Sequence, residues 1–148
     1  MIAQYHARDL DVAVKSNPKK VFLDVVVPEK FATTLAFPHT VSFLKTNCNS
    51  VLHTKCFNDH NLPFKEEVKD TEFAHLFEHI VLDSLVHAKV ELGSNHAKFR
   101  GVTKWNWIDN PVGTFEVELY VPKNDQYLLE LVLPRAVKLM EKLMVTHD

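Results

Sequence analysis

Glycine is scarce in this chain, which has only Gly93, Gly101 and Gly113 among its 148 residues. Phosphate-binding loops of the dinucleotide and Walker types need clustered glycines, so both nucleotide-binding patterns are excluded. Cysteine is also rare, since Cys48 and Cys56 are the only two. Because the sequence shows no export signal, we expect free thiols rather than a disulfide bridge.

Long apolar runs and an excess of one charge are absent as well. No apolar stretch approaches the roughly 18–20 residues that a membrane span requires. The first residues, Met-Ile-Ala-Gln-Tyr-His-Ala-Arg-Asp, lack the apolar core of a secretory signal. The formal net charge is −2, which offers no basic surface for nucleic acid. We therefore expect a cytoplasmic protein that binds neither membranes nor nucleic acid.

Apolar residues and histidine are well represented. Hydrophobic residues make up 46% and charged residues 24% of the chain, close to the averages of globular proteins. A chain of this length fits one domain, and no repeat or low-complexity linker divides it, so we expect a single domain over residues 1–148. Nine histidines are a high share that justifies a search for a metal site.

Apolar periodicity predicts both strands and helices. Strands are predicted at residues 20–28, 40–44, 50–57, 98–107 and 113–121, with turns or loops at 47–50 and 58–63. A helix is predicted from Asp70 or Thr71, as its N-cap, to about Leu92, with Gly93 as its stop. Its apolar stripe consists of Phe73, Phe77, Ile80, Val81 and Leu85.

A last helix is predicted at residues 126–145. It contains Pro134, which is expected to kink or split it because proline lacks a backbone donor and clashes with the preceding turn. The predicted order β-β-β-α-β-β-α indicates an α+β fold in two layers. In such a fold two helices pack on one face of a mainly antiparallel sheet.

The first predicted helix carries an H-x-x-E-H pattern, His75-Leu-Phe-Glu78-His79. Residues four apart lie on one helix face with Cβ atoms roughly 5–6 Å apart, so both imidazoles can reach one zinc ion. Zinc acidifies the water that it binds, and Glu78 can take the proton as general base. We predict this zinc site, with Glu72 or Asp83 fixing an imidazole tautomer. The alternative is a surface helix whose histidines are solvated.

A catalytic zinc needs a third protein ligand beside an open position. In the strand predicted at 113–121, the apolar residues take one face, so Glu116 and Glu118 share the other. We favour Glu118 as the third ligand and keep Glu116 as the alternative, although ordinary solvent-facing carboxylates explain both equally well. The weaker candidates, each more simply a surface or packed histidine, are His53, His87 and His96.

Candidate substrate-binding residues lie in the strand predicted at 98–107. Trp105 and Trp107 fall on one side of it, where they either pack or form a rim that grips a polymeric substrate. Lys98, Arg100 and Lys104 alternate along it and can meet substrate carboxylates, although a solvated face is the simpler explanation. We take Arg100, Lys104 and Trp105 as the substrate-binding candidates. A cysteine nucleophile with a remote histidine has no local signature to support it.

The H-x-x-E-H helix, the later strand glutamate and the long final helix resemble the catalytic half of pitrilysin-type and mitochondrial processing peptidases. Residues 71–85, Thr-Glu-Phe-Ala-His-Leu-Phe-Glu-His-Ile-Val-Leu-Asp-Ser-Leu, and the segments Phe99-Arg-Gly-Val-Thr and Phe115-Glu-Val-Glu-Leu are more similar to the N-terminal domain of cyanophycin synthetase. The resemblance covers roughly the second half of the chain. It implies a zinc-dependent hydrolase that cuts amide bonds of a peptide-like polymer such as cyanophycin, a poly-aspartate with arginine on its side chains. It further implies His75 and His79 as ligands, Glu78 as base and Glu118 as the third ligand.

Cyanophycin synthetase has further ATP-grasp and Mur-ligase-like portions, and the pitrilysin-type peptidases have a second half that clamps the peptide. We expect this protein to lack both, so we do not expect polymer synthesis. Such a domain binds substrate by itself, by self-association into a homo-oligomer, or through another protein. A second hypothesis is a non-catalytic module that holds a polymer or a partner enzyme. A third is a small-molecule zinc enzyme comparable to S-ribosylhomocysteine lyase, which also has an H-x-x-E-H helix. That family takes its third ligand from a later cysteine, whereas Cys48 and Cys56 precede the helix.

Overall fold

Five strands form one antiparallel sheet in a computed structural model that describes residues 2–56, 61–94 and 97–145. The strands are β1 (Ile2–Ala7), β2 (Leu10–Ser16), β3 (Val21–Val26), β4 (Arg100–Lys104) and β5 (Thr114–Tyr120). Their order across the sheet is β1-β2-β3-β5-β4. Alternate residues of β2, β3 and β5, such as Val12, Leu23 and Val117, are buried, so one face of the sheet is apolar.

The described part of the chain contains α1 (Thr40–Asn47), α2 (Phe64–Glu67), α3 (Phe73–Glu91) and α4 (Leu129–Val145). The two long helices pack against each other and against the apolar face, α3 beneath β4 and β5 and α4 beneath β1. This arrangement confirms the predicted α+β fold. No helix within the described ranges is long and apolar enough to span a membrane.

The helix that carries the H-x-x-E-H pattern forms as its apolar stripe predicts. All five residues of that stripe are buried, namely Phe73, Phe77, Ile80, Val81 and Leu85. The helix ends just before Gly93, whose φ of 98° lies in the left-handed region, which confirms the predicted stop. Its start differs, because α3 begins at Phe73 without a capping hydrogen bond from a side chain. Neither Asp70 nor Thr71 caps it.

Two predicted strands are wrong. Residues 40–44 belong to helix α1, and residues 50–53 lie in a 3₁₀ segment, Asn49–His53. Residues 54–56 form neither helix nor strand, and residues 57–60 are outside the described ranges. Thr40, Phe43 and Leu44 are buried together, and this i, i+3, i+4 spacing is that of a helix face. A short apolar run does not by itself distinguish the two structures.

The first two strands were not among those predicted. Leu10, Val12 and Val14 alternate as a half-buried strand does, and the pairing of Ala7 with Leu10 leaves a two-residue connection between β1 and β2. At the other end, α4 starts at Leu129, after a 3₁₀ segment at Lys123–Leu128, and runs through Pro134 as one helix. The predicted split at Pro134 is therefore wrong. Pro134 and Glu130, four residues before it, both lie on the exposed side of α4.

Candidate metal centre

Helix α3 places the three residues of the H-x-x-E-H pattern in the interior of the molecule. Glu78 and His79 are only 5% and 4% exposed, and His75 is half-buried. They lie where α3 passes beneath β4 and beside the chain that follows the 3₁₀ segment Asn49–His53. A surface helix with solvated histidines is therefore not what this pattern forms.

Cys56 approaches both histidines. Its Sγ lies 3.5 Å from Nε2 of His75, and one ligand atom each from Cys56, His75 and His79 lies within 4.8 Å of the others. Zinc–sulfur and zinc–nitrogen bonds of about 2.3 and 2.0–2.1 Å in tetrahedral geometry separate the ligand atoms by roughly 3.3–3.6 Å. The three side chains therefore fit a single zinc ion with little movement.

The hydroxyl of Thr54 determines which nitrogen of His79 is available. Thr54 Oγ1 donates its proton to the carbonyl of Val51 at 2.7 Å and lies 2.8 Å from His79 Nδ1. Because that proton is already used, the hydroxyl can only accept from the ring, so Nδ1 carries the hydrogen. The lone pair of His79 is then on Nε2, the nitrogen left for a metal.

The hydroxyl of Thr71 contacts His75. Thr71 Oγ1 lies 2.8 Å from His75 Nδ1, and its contact to Glu72 Oε1 is longer, at 3.4 Å. When the hydroxyl donates to Glu72, it accepts the Nδ1 proton of His75, and Nε2, the atom 3.5 Å from Cys56 Sγ, keeps the lone pair. Glu72 thus acts on the tautomer through Thr71 rather than directly as predicted.

Asp83, the other residue predicted to fix a tautomer, has different partners. Its Oδ2 accepts a hydrogen bond from Ser50 Oγ at 2.6 Å, and its Oδ1 lies 3.8 Å from His87 Nε2. Neither contact involves His75 or His79, and Asp83 holds the 3₁₀ segment against α3 instead.

Both imidazoles of the centre are neutral. Burial, reinforced by the neighbouring His75, lowers the pKa of His79 to about 3, and burial also lowers the pKa of His75. The ring of Phe64 stacks on His79 with centroids 3.7 Å apart and an angle of 8° between the planes. Neutral, sterically fixed imidazoles are the form in which histidine binds a metal.

Glu78 points from α3 toward β4. Thr103 Oγ1 donates a hydrogen bond to Glu78 Oε1 at 2.8 Å. Burial raises the pKa of Glu78 to about 7, and the hydrogen bond from Thr103 opposes that rise. A Cβ at Gly101 would lie 3.3 Å from Glu78 Cγ and 2.9 Å from the carbonyl oxygen of Glu118, so glycine allows this close approach of side chain and strand.

The structure does not bring Glu118 to the histidines. The helices cover the apolar face of β5, and strand alternation puts Glu116 and Glu118 on the opposite face. There Glu118 Oε1 accepts a hydrogen bond from Lys104 Nζ at 3.0 Å, and its Oε2 lies 3.9 Å from Lys20 Nζ. The expectation that this carboxylate pair faces the helix with His75 and His79 is therefore wrong, and the thiol that approaches both histidines is that of Cys56.

The predicted substrate-binding residues also lie away from Glu78. Arg100 and Lys104 are opposite Tyr120 and Glu116 in the ladder, on the face turned away from α3. The Arg100 guanidinium lies 4.6 Å from the centroid of the Tyr120 ring. Trp105 follows the end of β4 and is exposed. None of the three is placed beside the metal centre.

The remaining candidates do not join the centre either. His53 and His87 are exposed, and His96 lies outside the described residues. Cys48 and Cys56 are not joined by a disulfide, and burial together with the charge of Asp83 raises the pKa of the Cys48 thiol.

Sequence reasoning missed Cys56 and the threonines that orient the site. Cys56 stands 19 residues before His75, a separation that matches no short zinc motif. Thr54 and Thr71 carry no sequence signal, because any Ser or Thr near a histidine is an equally plausible partner. The signal that could have indicated Cys56 as a candidate ligand is its residue type, since a thiolate is a preferred ligand of zinc.

Comparison with known proteins yields no match, either to a model of a protein family or to a curated protein sequence.

Proposed function

We propose that this protein is a zinc-dependent hydrolase in which Cys56, His75 and His79 bind the metal and Glu78 is the general base. The convergence of these three donors within 4.8 Å carries the proposal. It is supported by the two threonine hydroxyls that leave each Nε2 free for a metal. Three protein ligands leave a fourth tetrahedral position for water or substrate, the arrangement typical of catalytic zinc.

The donor set favours zinc over other metals. A thiolate and two neutral imidazoles are poor ligands for Mg²⁺ and Ca²⁺, which prefer oxygen. Zinc accepts sulfur and nitrogen together and is usually four-coordinate. The half-buried Cys56 thiol and the His75 and His79 rings lie in a partly apolar setting beside Phe64, which limits the access of water.

In the proposed reaction, a bound zinc ion would acidify a water molecule and polarise the scissile carbonyl. Glu78 accepts the proton of the attacking water and passes it to the leaving amine. Thr103 holds the carboxylate by its hydrogen bond at 2.8 Å, so one oxygen is oriented by β4 while the other can take the proton. A carboxylate that is held by one oxygen in this way is suited to proton transfer through the other.

The proposed substrate is an amide bond in a peptide-like polymer, and cyanophycin is the first candidate. This choice rests on the resemblance of residues 71–85 and of the later strands to the cyanophycin synthetase N-terminal domain. A cytoplasmic location fits the same proposal, because a thiolate ligand and a second free thiol persist best in a reducing compartment.

A second candidate function is favoured by the cysteine. S-ribosylhomocysteine lyase, the small-molecule enzyme to which the H-x-x-E-H helix was compared, has a cysteine as its third ligand. Here the structure brings Cys56 to His75 at 3.5 Å, although it precedes the helix in sequence. A thioether sugar is therefore the second substrate class to test.

The test measures zinc content and turnover on the same protein. We expect about one zinc per chain in wild type, and little in the double variant His75→Ala, His79→Ala. Glu78→Gln should keep the zinc and lose hydrolysis of cyanophycin or short aspartyl peptides. Glu91→Gln, an exposed residue at the end of the same helix, is the matched control.

Three results would contradict the proposal. Full activity of the Glu78→Gln variant would exclude Glu78 as the general base. Failure to take up zinc after reconstitution leaves the non-catalytic binding module as the better hypothesis. Turnover of S-ribosylhomocysteine, with none of any amide substrate, selects the second candidate function.

A further inference from the structure

A groove of about 450 Å³ opens on the sheet face opposite α3 and α4. Its floor is formed by β3 and β5, with Asp24 and Glu116, and its wall by the segment that follows β4, with Trp105 and Asn106. The metal centre is on the other side of the sheet, since Thr103 contacts Glu78 and its neighbour Lys104 points the opposite way. The groove is thus a separate feature of the molecule.

Two carboxylates stand side by side on the floor of the groove. Asp24 and Glu116 are direct cross-strand partners, which places their Cβ atoms roughly 4.5–5.5 Å apart. Both are exposed. Like charges directly opposite each other destabilise a sheet. The pair therefore lowers the stability of the fold, and packing gives no reason for its presence.

No cation within the described residues forms an ion pair with either carboxylate of the floor. Lys104, which also lines the groove, is the cross-strand neighbour of Glu116. Its Nζ binds Glu118 Oε1 at 3.0 Å, and Glu116 acts on it as a weaker charge. Glu118 Oε2 also lies 3.9 Å from Lys20 Nζ. Three carboxylates and two ammonium groups therefore leave a net charge of −1 on and beside the floor.

An exposed indole completes the groove. Trp105 is 44% exposed, so part of its indole is open to the groove. Its ring is supported by Trp107 and Phe115, with centroids 6.1 and 6.4 Å away. Trp107 is itself anchored, since its Nε1 donates to the carbonyl of Thr114 at 2.9 Å. The groove therefore offers a flat aromatic surface that the neighbouring residues hold in place.

We propose that this groove binds the guanidinium group of an arginine side chain in a peptide-like ligand. Asp24 and Glu116 supply the carboxylate partners, and Trp105 supplies the stacking surface. A planar guanidinium forms paired hydrogen bonds to carboxylates and stacks on indole, whereas an ammonium group does so less well. A bare divalent cation would use the carboxylates but gain nothing from Trp105. The proposal is independent of the proposed hydrolase, because its residues lie on the opposite face of the sheet from Glu78.

The experiment titrates the protein with N-acetyl-arginine methylamide and with a triarginine peptide, followed by NMR of the indole N–H signals and by calorimetry. The neutral isostere, N-acetyl-citrulline methylamide, is the ligand control. We expect the arginine ligands to shift the Trp105 signal, the peptide to bind more tightly than the amide, and citrulline to bind at least tenfold more weakly. The same affinities are expected with zinc removed.

The variants distinguish binding in the groove from a nonspecific effect of net charge. Asp24→Asn with Glu116→Gln should weaken arginine binding at least tenfold, and Trp105→Ala should do the same. The control Asp70→Asn with Glu91→Gln changes the net charge equally at exposed positions outside the groove and should leave binding unchanged. Circular dichroism and thermal melting show that each variant is folded.

Several outcomes would overturn the inference. These are a lack of binding by the triarginine peptide, equal binding of citrulline, and full binding by the Asp24→Asn, Glu116→Gln variant. Binding of Ca²⁺ to the same carboxylates, without any response to arginine, would identify an inorganic cation site instead.

Discussion

The Sγ atom of Cys56 lies 3.5 Å from Nε2 of His75. The two residues reach this contact from different elements, since Cys56 follows the 3₁₀ segment Asn49–His53 and His75 lies in the first turn of α3. The same short stretch also delivers Thr54 to His79. One segment therefore supplies both the proposed thiol ligand and the hydroxyl that contacts His79.

Cys56→Ser should lower zinc affinity by about a hundredfold or more, because a thiolate ligand is replaced by a weakly coordinating hydroxyl. Competition with a chromogenic chelator measures the affinity. Cys48→Ser is the matched control, since Cys48 is also half-buried and free but is outside the group of three donors. Equal loss in both variants would argue against a specific ligand role for Cys56.

Glu118→Gln should leave the zinc content unchanged. Glu118 lies on the face turned away from α3 and is engaged by Lys104 Nζ at 3.0 Å, so its charge does not reach the metal donors. Elemental analysis of wild type and variant after identical purification measures this. If the Glu118→Gln variant loses its zinc, Glu118 is the third ligand, as predicted from the sequence.

Thr54→Val should weaken zinc binding by about 10–100-fold, because loss of a hydrogen-bond partner to a ligating histidine frees its tautomer and ring orientation. The change is nearly isosteric, so packing beside His79 is retained. Thr54→Ser keeps the hydroxyl and should restore the affinity to near the wild-type value. If valine and serine variants bind zinc alike, the hydroxyl does not orient His79.

Thr103→Val should reduce kcat by about tenfold with the zinc content unchanged, since Thr103 is a positioning residue that acts through Glu78. Steady-state kinetics in parallel with metal analysis separates the two effects. Thr103→Ser is expected to recover most of the rate. A fall in zinc content that matches the fall in rate would show a structural effect instead.

In metal-free protein, Glu78→Gln should stabilise the fold at pH 8 but not at pH 4. The folded-state pKa of Glu78 is raised from 4.5 to about 7 by burial, so stability linked to its neutral form is fully present below pH 4.5. That stability is lost as pH rises through 7, by an amount on the order of 3 kcal/mol. Urea unfolding in EDTA across this range measures it. A difference that does not change with pH would refute the linkage.

The long helix was predictable because its information is local. Five buried apolar residues at helical spacing, from Phe73 to Leu85, and a glycine stop at Gly93 are enough to define α3. The shared face of His75 and His79 follows from helix geometry alone. The strand predicted at residues 40–44 was wrong because a short apolar run fits a strand and a helix equally well.

The amino-acid sequence by itself determined the α+β class, the helix with the H-x-x-E-H pattern and the shared face of its two imidazoles. It also placed Glu116 and Glu118 together on the polar face of their strand, and an apolar face is the one that helices cover. Tertiary structure decided that Cys56 and Thr54 reach the histidines, while Glu118 binds Lys104 on the opposite face of the sheet. Contacts between residues distant in sequence depend on how whole elements pack, and local periodicity carries no record of that packing.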